Sequence, residues 1–205
     1  MLTGPIDVDA IVQLQDETVE RWHQEPISNR CEGFMQLVCQ QHEHNYRLWH
    51  EEDIARAKDV SDAQIAQVKR NIDVLNQKRN DWIEKLDDAI TLMLAEADVA
   101  IGEDAPINTE TAGSVIDRLS IMSLRLYHYR EQLLRDDAGA EHQQRVAERI
   151  SICERQQADL SLALKQLLAD LFAGRKRHRT YRQLKMYNDP TLNPYLYAAK
   201  QLRAG

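Results

Sequence analysis

Apolar residues recur at helical spacing along most of the chain, and glycine and proline are confined to a few short segments. Apart from Gly33, neither residue occurs between Ile27 and Ile101, so long helices must fill this stretch. No segment shows the alternation of apolar and polar residues that is typical of a half-buried strand. The sequence therefore predicts an all-α fold, an elongated antiparallel bundle of about five long helices. These are expected over residues 7–23, 28–59, 61–100, 114–135 and 140–172, with a short last helix over 195–202.

Local motifs mark some of the helix ends. The segment Ser61-Asp62-Ala63-Gln64 has the pattern of a capping box, and Gly174 is suited to the left-handed residue that ends a helix. At 1.5 Å per residue, the third predicted helix would be about 60 Å long, longer than a compact domain of this size is wide. We therefore expect elongated packing or a homodimer along this helix.

Composition narrows the setting in which the protein works. No apolar run approaches the roughly 18 residues of a membrane span, and the first residues lack the pattern of a signal peptide. The three cysteines form neither a CxxC pair nor an even set, which favours a reducing cytoplasm. The seven glycines include no phosphate-cradling glycine motif. We expect a cytoplasmic protein with no membrane partner.

Charge is distributed unevenly between two predicted units, a helical bundle over residues 1–174 and a C-terminal segment over 175–205. The whole chain carries a formal charge of −7, yet the C-terminal segment holds eight Lys or Arg against the single Asp189. This basic, tyrosine-rich segment is expected to pack on the acidic bundle. Because the molecule as a whole is acidic and repels a polyanion, we expect no nucleic-acid partner.

Polar residues interrupt the apolar faces of the second and third predicted helices. On the second helix, Asn45, Glu52 and Arg56 fall within the apolar face. On the third helix, Arg79 lies at the centre of the apolar stripe. Four further polar residues, Asp73, Asn76, Asn80 and Asp87, line one shoulder of that stripe, and Glu84 lies just outside it. Because an unpaired buried charge is costly, these groups must pair with each other, hold water or face a ligand.

Two interpretations follow. The first is a site for a small anionic ligand, with Arg56, Arg70 and Arg79 meeting the anion and with Asn76 and Asn80 binding hydroxyl groups. The candidate ligand-binding residues are Asn45, Trp49, His50, Glu52, Arg56, Arg70, Asp73, Asn76, Arg79, Asn80 and Glu84. The second is an ion-pair network that fixes helix register in an interaction protein, in which Glu52 or Asp53 reaches Arg79.

A metal site is a further candidate, and no nucleophile is identifiable. His50 and Asp53 are three positions apart, and Asp87 is one of several carboxylates on the third helix. Such a mixture suits Mg²⁺ or Mn²⁺, with Asp53 and Asp87 as the candidate ligands. The sequence pattern places no base where it would activate a cysteine, so none of the three is a candidate nucleophile. The sequence leaves open whether the protein is an enzyme.

The polar motifs resemble those of the bacterial family catalogued as domain of unknown function 4254. They are NYRLWHEEDIAR at 45–56, KRNIDVLNQKRNDWIE at 69–84, DRLSI at 117–121 and KMYNDP at 185–190, followed by Asn193-Pro194. The resemblance covers nearly the whole chain and implies a bacterial, all-helical protein. It carries no established activity, but it associates the family with glycosyltransferase genes of surface polysaccharide synthesis. A sugar phosphate or nucleotide sugar is therefore the ligand class to expect.

A second likeness is to the all-α nucleotide pyrophosphohydrolases, which hold Mg²⁺ with ExxE on one helix and ExxD on the next. Glu84 and Asp87 supply an ExxD, and Glu51-Glu52 begins the other motif. Its last position is Ala55, so one metal ligand of that family is missing.

Overall fold

The computed structural model describes residues 6–186 and 189–203, and within these ranges it contains helices and no strand. The prediction of an all-α fold is confirmed. The helices are α1 (Val8–Gln24), α2 (Gly33–Ile54), α3 (Asp62–Glu96), α4 (Ala112–Leu133), α5 (Ala140–Phe172) and α6 (Pro194–Arg203). Tyr187 and Asn188 of the KMYNDP motif lie outside the described residues. None of the helices described combines the length and the apolar character that a bilayer crossing requires.

Helix α3 begins where the capping box predicts. The Ser61 side chain accepts a hydrogen bond from the Gln64 backbone N–H, and the Gln64 side chain accepts one from the Ser61 backbone N–H. At 35 residues the helix is about 52 Å long, because it ends at Glu96 and not near Ala100.

Helix α2 is shorter at both ends than the predicted range 28–59. Before it, the Asn29 side chain accepts a hydrogen bond from the Cys31 N–H and donates one to the Gln36 carbonyl. Such side-chain bonds compete with a helix for the backbone. After Ile54 the backbone turns through 55–60, a stretch without glycine or proline, so nothing in the sequence marks this end.

One hydrophobic core joins the five long helices. Ile11, Val38, Leu86, Ile116 and Leu164 come from α1 to α5 in that order, and each is fully buried in the same cluster. Burial of such a side chain contributes roughly 1.5–3 kcal/mol to stability. Helix α2 packs mostly on α3 and α4 mostly on α5, while α1 lies against α4, α2 and α5. This arrangement places the interrupted faces of α2 and α3 next to α4.

Helix α4 approaches α3 closely at its N-terminus. A Cβ on Gly113 would lie 2.7 Å from the Ile83 carbonyl oxygen, so only glycine fits there without a shift of the backbone. The Gly113 N–H donates a 2.7 Å hydrogen bond to Oδ1 of buried Asp87. Burial raises the pKa of Asp87, and hydrogen bonds from Thr111 and the Gly113 N–H oppose this rise. Asp87 therefore accepts one N–H of the first turn of α4, while the side chain of the N-cap residue Thr111 accepts the Ser114 N–H.

The C-terminal segment follows Gly174, which has the positive φ of 68° expected of a helix stop. A Cβ on Gly174 would overlap the Ala100 carbonyl oxygen, and the Gly102 N–H donates to the Gly174 carbonyl. Further along, Arg182 forms ion pairs with Glu84 and Asp88 of α3. The basic segment therefore pairs with Asp170 of α5 at its start and with the acidic surface of α3 at Arg182.

Candidate functional site

A pocket of about 380 Å³ opens where α2, α3 and α4 meet, and we call it the central pocket. Its lining consists of Asn45, Leu48, Trp49, Glu52, Asp53, Arg56, Arg79, Ile121 and Leu124. Apolar walls with a few polar groups, in a cavity of this size, are typical of small-molecule sites.

Six residues singled out from the sequence line the central pocket, namely Asn45, Trp49, Glu52, Asp53, Arg56 and Arg79. Five of them come from α2 and the turn after it, because residues three or four positions apart share a face of a helix. Arg79 reaches the pocket from α3. The structure thus brings these side chains together, while their role as ligand-binding residues stays a prediction.

Arg79 forms its ion pair with Asp117 of α4. Its Nε donates to Oδ1 at 2.7 Å and its Nη2 to Oδ2 at 2.5 Å, the two-bond geometry that makes such pairs strong. The Asp117 side chain is only 5% exposed. Hydrogen bonding to Asp117 raises the pKa of Arg79, and burial opposes the rise. The predicted pairing of Arg79 with Glu52 or Asp53 is therefore wrong.

A buried hydrogen-bond network surrounds the Asp117 carboxylate. Gln41 Nε2 and Asn45 Nδ2 of α2 both donate to Asp117 Oδ1, at 2.6 and 2.9 Å. Asn45 Nδ2 also donates to Ser120 Oγ, which lies 2.7 Å from Nδ1 of His42. Burial lowers the pKa of His42 to about 3, so the ring is neutral at physiological pH. The network joins α2, α3 and α4 in one register.

Glu52 and Arg56 pair with each other at the rim of the pocket. Arg56 Nη1 lies 2.7 Å from Glu52 Oε2. The Arg56 side chain is 70% exposed and that of Glu52 is 39% exposed. The prediction that both point into the core is wrong. Arg56 lies beyond the end of α2 at Ile54, and Glu52 lies in the last turn of α2, after its last buried residue, Tyr46.

Five predicted ligand residues on α3 do not line the central pocket. Arg70 and Asp73 are exposed, and Asp73 pairs with Lys69. Asn76 and Asn80 are half-buried, and Glu84 accepts bonds from Arg182 and from the Gln183 N–H. Positions 70 and 84 are about 21 Å apart along a helix axis, too far for all five to converge on one small ligand.

His50 does not line the central pocket and instead lines a groove of about 610 Å³ between α2 and α3. Burial lowers its pKa, and the neighbouring rings of His23 and His128 lower it further. A second groove, of about 570 Å³ between α4 and α5, contains none of the predicted residues.

The predicted Mg²⁺ or Mn²⁺ ligands are not brought together. Asp53 is exposed at the rim of the central pocket, whereas Asp87 is buried and bonded to the Gly113 N–H. In the ExxD motif, Asp87 accepts a hydrogen bond from the Gly113 N–H, and Glu84 accepts bonds from Arg182 and Gln183. These carboxylates thus have protein partners, which weighs against a metal pair of the pyrophosphohydrolase type. Within the described residues, the side chains placed as a metal would need them are His23, His50 and His128.

One family model covers the chain from Met35 of α2 to the end of α5, including every residue that lines the central pocket. Residues 35–180 match the family model described as a protein of unknown function, DUF4254. The chain belongs to this family. No curated protein and no solved structure matches the chain. The geometry of its site is therefore the main indication of what this DUF4254 protein does.

Proposed function

We propose that the central pocket binds a small anionic ligand, such as a sugar phosphate or a nucleotide sugar. The observation that carries this proposal is an apolar wall around Trp49 with the exposed guanidinium of Arg56 at its rim. The three free cysteines support a reducing compartment, which we take to be the bacterial cytoplasm.

Trp49 supplies a flat apolar surface for a sugar ring or a nucleobase. Its indole stacks on His128, with the ring centroids 4.9 Å apart and the planes 6° from parallel. This stacking fixes the orientation of the indole before any ligand arrives. A preorganised aromatic ring costs little conformational entropy on binding, so it is a suitable anchor.

Arg56 is the residue best placed to meet a phosphate. Its pair with Glu52 is exposed, and exposed ion pairs contribute roughly 0–1 kcal/mol. The guanidinium can therefore exchange the carboxylate for a phosphate at little cost, and it then forms two parallel hydrogen bonds. Arg79 lines the same pocket, but Asp117 accepts hydrogen bonds from its Nε and Nη2 and balances its charge, so the phosphate contact is assigned to Arg56.

The alternative function, an interaction protein whose polar interior fixes helix register, is favoured by the network around Asp117. Gln41, Asn45 and Arg79 already satisfy that carboxylate without a ligand. We therefore assign those residues a structural role. The ligand-contacting residues that remain are Trp49 and Arg56.

A thermal-shift screen tests the proposal. Tag-free protein is melted with glucose 1-phosphate, a nucleoside diphosphate sugar, inorganic phosphate or uncharged glucose. A ligand that binds only the native state raises the melting temperature. We expect a rise with at least one phosphorylated sugar and none with glucose.

Arg56→Ala and Arg145→Ala make a matched pair of variants for this screen. Arg145 pairs with Glu141 at the same spacing on α5, away from the pocket. The rise should persist in Arg145→Ala and disappear in Arg56→Ala. An equal rise in both variants, or no rise with any anion, contradicts the proposal.

A further inference from the structure

Three histidines from three different helices meet beside the central pocket. His23 belongs to α1, His50 to α2 and His128 to α4, and one ring nitrogen of each lies within 4.8 Å of the others. All three side chains are half-buried. We call this group the three-histidine cluster.

Hydrogen bonds orient two of these rings. Nδ1 of His23 lies 2.7 Å from the Val19 carbonyl oxygen, and Nδ1 of His128 lies 2.8 Å from Glu131 Oε2. A carbonyl or carboxylate oxygen only accepts, so each Nδ1 carries the proton. Each Nε2 of these two rings is then left with a free lone pair when the ring is neutral.

The Nε2 atoms are buried without a hydrogen-bond partner. In the described part of the chain, Nε2 of His23, of His50 and of His128 each has no hydrogen-bond partner. A buried polar atom without a partner costs about 1–3 kcal/mol, so three of them together need an explanation. Stacking on Tyr127 and Trp49 accounts for the ring planes of His23 and His128, but it satisfies none of the Nε2 lone pairs.

We propose that His23, His50 and His128 form a binding site for one divalent transition-metal ion, with Zn²⁺ the best fit. Imidazole nitrogen suits Zn²⁺ and its neighbours in the periodic table, whereas Mg²⁺ and Mn²⁺ prefer oxygen. Zn–N bonds of about 2.0–2.1 Å require the rings to close by about 1 Å each or less. Three protein ligands leave a fourth position for water.

Glu131 strengthens this assignment. Ligating histidines typically donate their other N–H to a carboxylate or a backbone carbonyl, which fixes the ring and raises its basicity. His128 has such a carboxylate in Glu131, and His23 has such a carbonyl in Val19. The arrangement is therefore that of a metal site with its supporting hydrogen bonds in place. The proposal of a metal site does not depend on a ligand in the central pocket.

The test uses tag-free protein stripped with a chelator and dialysed. Zn²⁺ is expected to raise the melting temperature by several degrees, and Mg²⁺ is expected to leave it unchanged. Titration with Co²⁺ should reach saturation at one ion per chain, with the intense visible absorption of a four- or five-coordinate site. No rise with Zn²⁺, or Co²⁺ absorption without saturation at one ion, overturns the proposal.

Two variants locate the site. His50→Gln should lose the Zn²⁺-induced rise, whereas His142→Gln on α5 should retain it. A rise of equal size in both variants overturns the proposal and directs attention to other ligands, such as the neighbouring thiols of Cys31 and Cys39.

A third variant keeps the test decisive if His50→Gln does not fold. Glu131 is partly exposed, so Glu131→Ala should fold normally. It should weaken Zn²⁺ binding by about 10- to 100-fold, because His128 Nδ1 loses the carboxylate that accepts its hydrogen bond. Unchanged Zn²⁺ affinity in this variant contradicts the proposed ligand set.

Discussion

Arg79 and Asp117 join α3 to α4 through two short hydrogen bonds, of 2.7 and 2.5 Å. The Arg79 side chain is 26% exposed, but the carboxylate that it binds is almost entirely buried. Gln41 and Asn45 of α2 donate to the same carboxylate. One side chain of α4 therefore orients two neighbouring helices.

Asp117→Ala should lower the free energy of unfolding by about 3 kcal/mol, because it leaves Arg79 and two amides without their acceptor. Urea unfolding measures the change. The control is Glu154→Ala, which removes an exposed ion pair with Arg130 and should cost less than about 1 kcal/mol. Equal losses in the two variants would mean that the Asp117 network stabilises the fold no more than an exposed ion pair does.

Glu52→Ala should cost less than about 1 kcal/mol, because its pair with Arg56 is exposed. The sequence pattern, which assigned Glu52 to the core, predicts a loss on the order of 3 kcal/mol instead. The same urea experiment separates the two values. A loss as large as that of Asp117→Ala would contradict the exposed position of Glu52.

His42 predicts a loss of stability in acid. Burial lowers its pKa to about 3 in the folded state, against 6.5 when unfolded, so between these values only the unfolded chain takes up the proton. Stability should therefore fall as the pH drops below 6.5, by up to about 1.4 kcal/mol per pH unit. Urea unfolding of wild type and His42→Gln at pH 7.5 and 5 tests this. The variant should show a smaller loss, and equal losses in both proteins would contradict the assignment.

Gly113→Ala should destabilise the protein by about 1–3 kcal/mol, since the new Cβ meets a backbone carbonyl and the Asp87 carboxylate within 3 Å. Gly139→Ala is the matched control, because nothing lies within 4 Å of a Cβ there. Thermal unfolding should show a clear drop in melting temperature for Gly113→Ala and a small change for Gly139→Ala. Similar drops would argue against the close approach of α3 and α4.

The homodimer stays a prediction, now with a candidate surface. Val74 and Leu92 are exposed and lie eighteen positions apart on α3, which places them on one face after five turns. Sedimentation at micromolar concentration should report a dimer, and Leu92→Glu should weaken it. A monomeric wild-type protein would contradict the prediction of a homodimer.

The long helices were predictable because their signals are local. Missing glycine and proline, apolar spacing and the Ser61 capping box each act within a few residues, and the observed helices follow them. The end of α2 had no such marker. Extending that helix to residue 59 gave Arg56 an inward orientation that the structure does not show. Glu52 was assigned to the core, but the buried residues of α2 end at Tyr46.

The partners of the polar residues were not predictable in the same way. Asp117 is 38 positions from Arg79, and the pattern of one helix does not say which neighbour supplies its counter-charge. Likewise, His23, His50 and His128 come from three helices, and only their packing brings the rings together. Sequence periodicity finds an interrupted face, but tertiary structure decides what fills it.

The role of the central pocket as a ligand site is tested most directly by calorimetric titration of a nucleoside diphosphate sugar or a sugar phosphate. Wild type is compared with Trp49→Ala and with Trp82→Ala, whose tryptophan lies on α3 outside the pocket. Binding of one ligand per chain to wild type and Trp82→Ala, with loss of binding in Trp49→Ala, is the predicted result. Equal binding to all three proteins, or no binding to wild type, would contradict it.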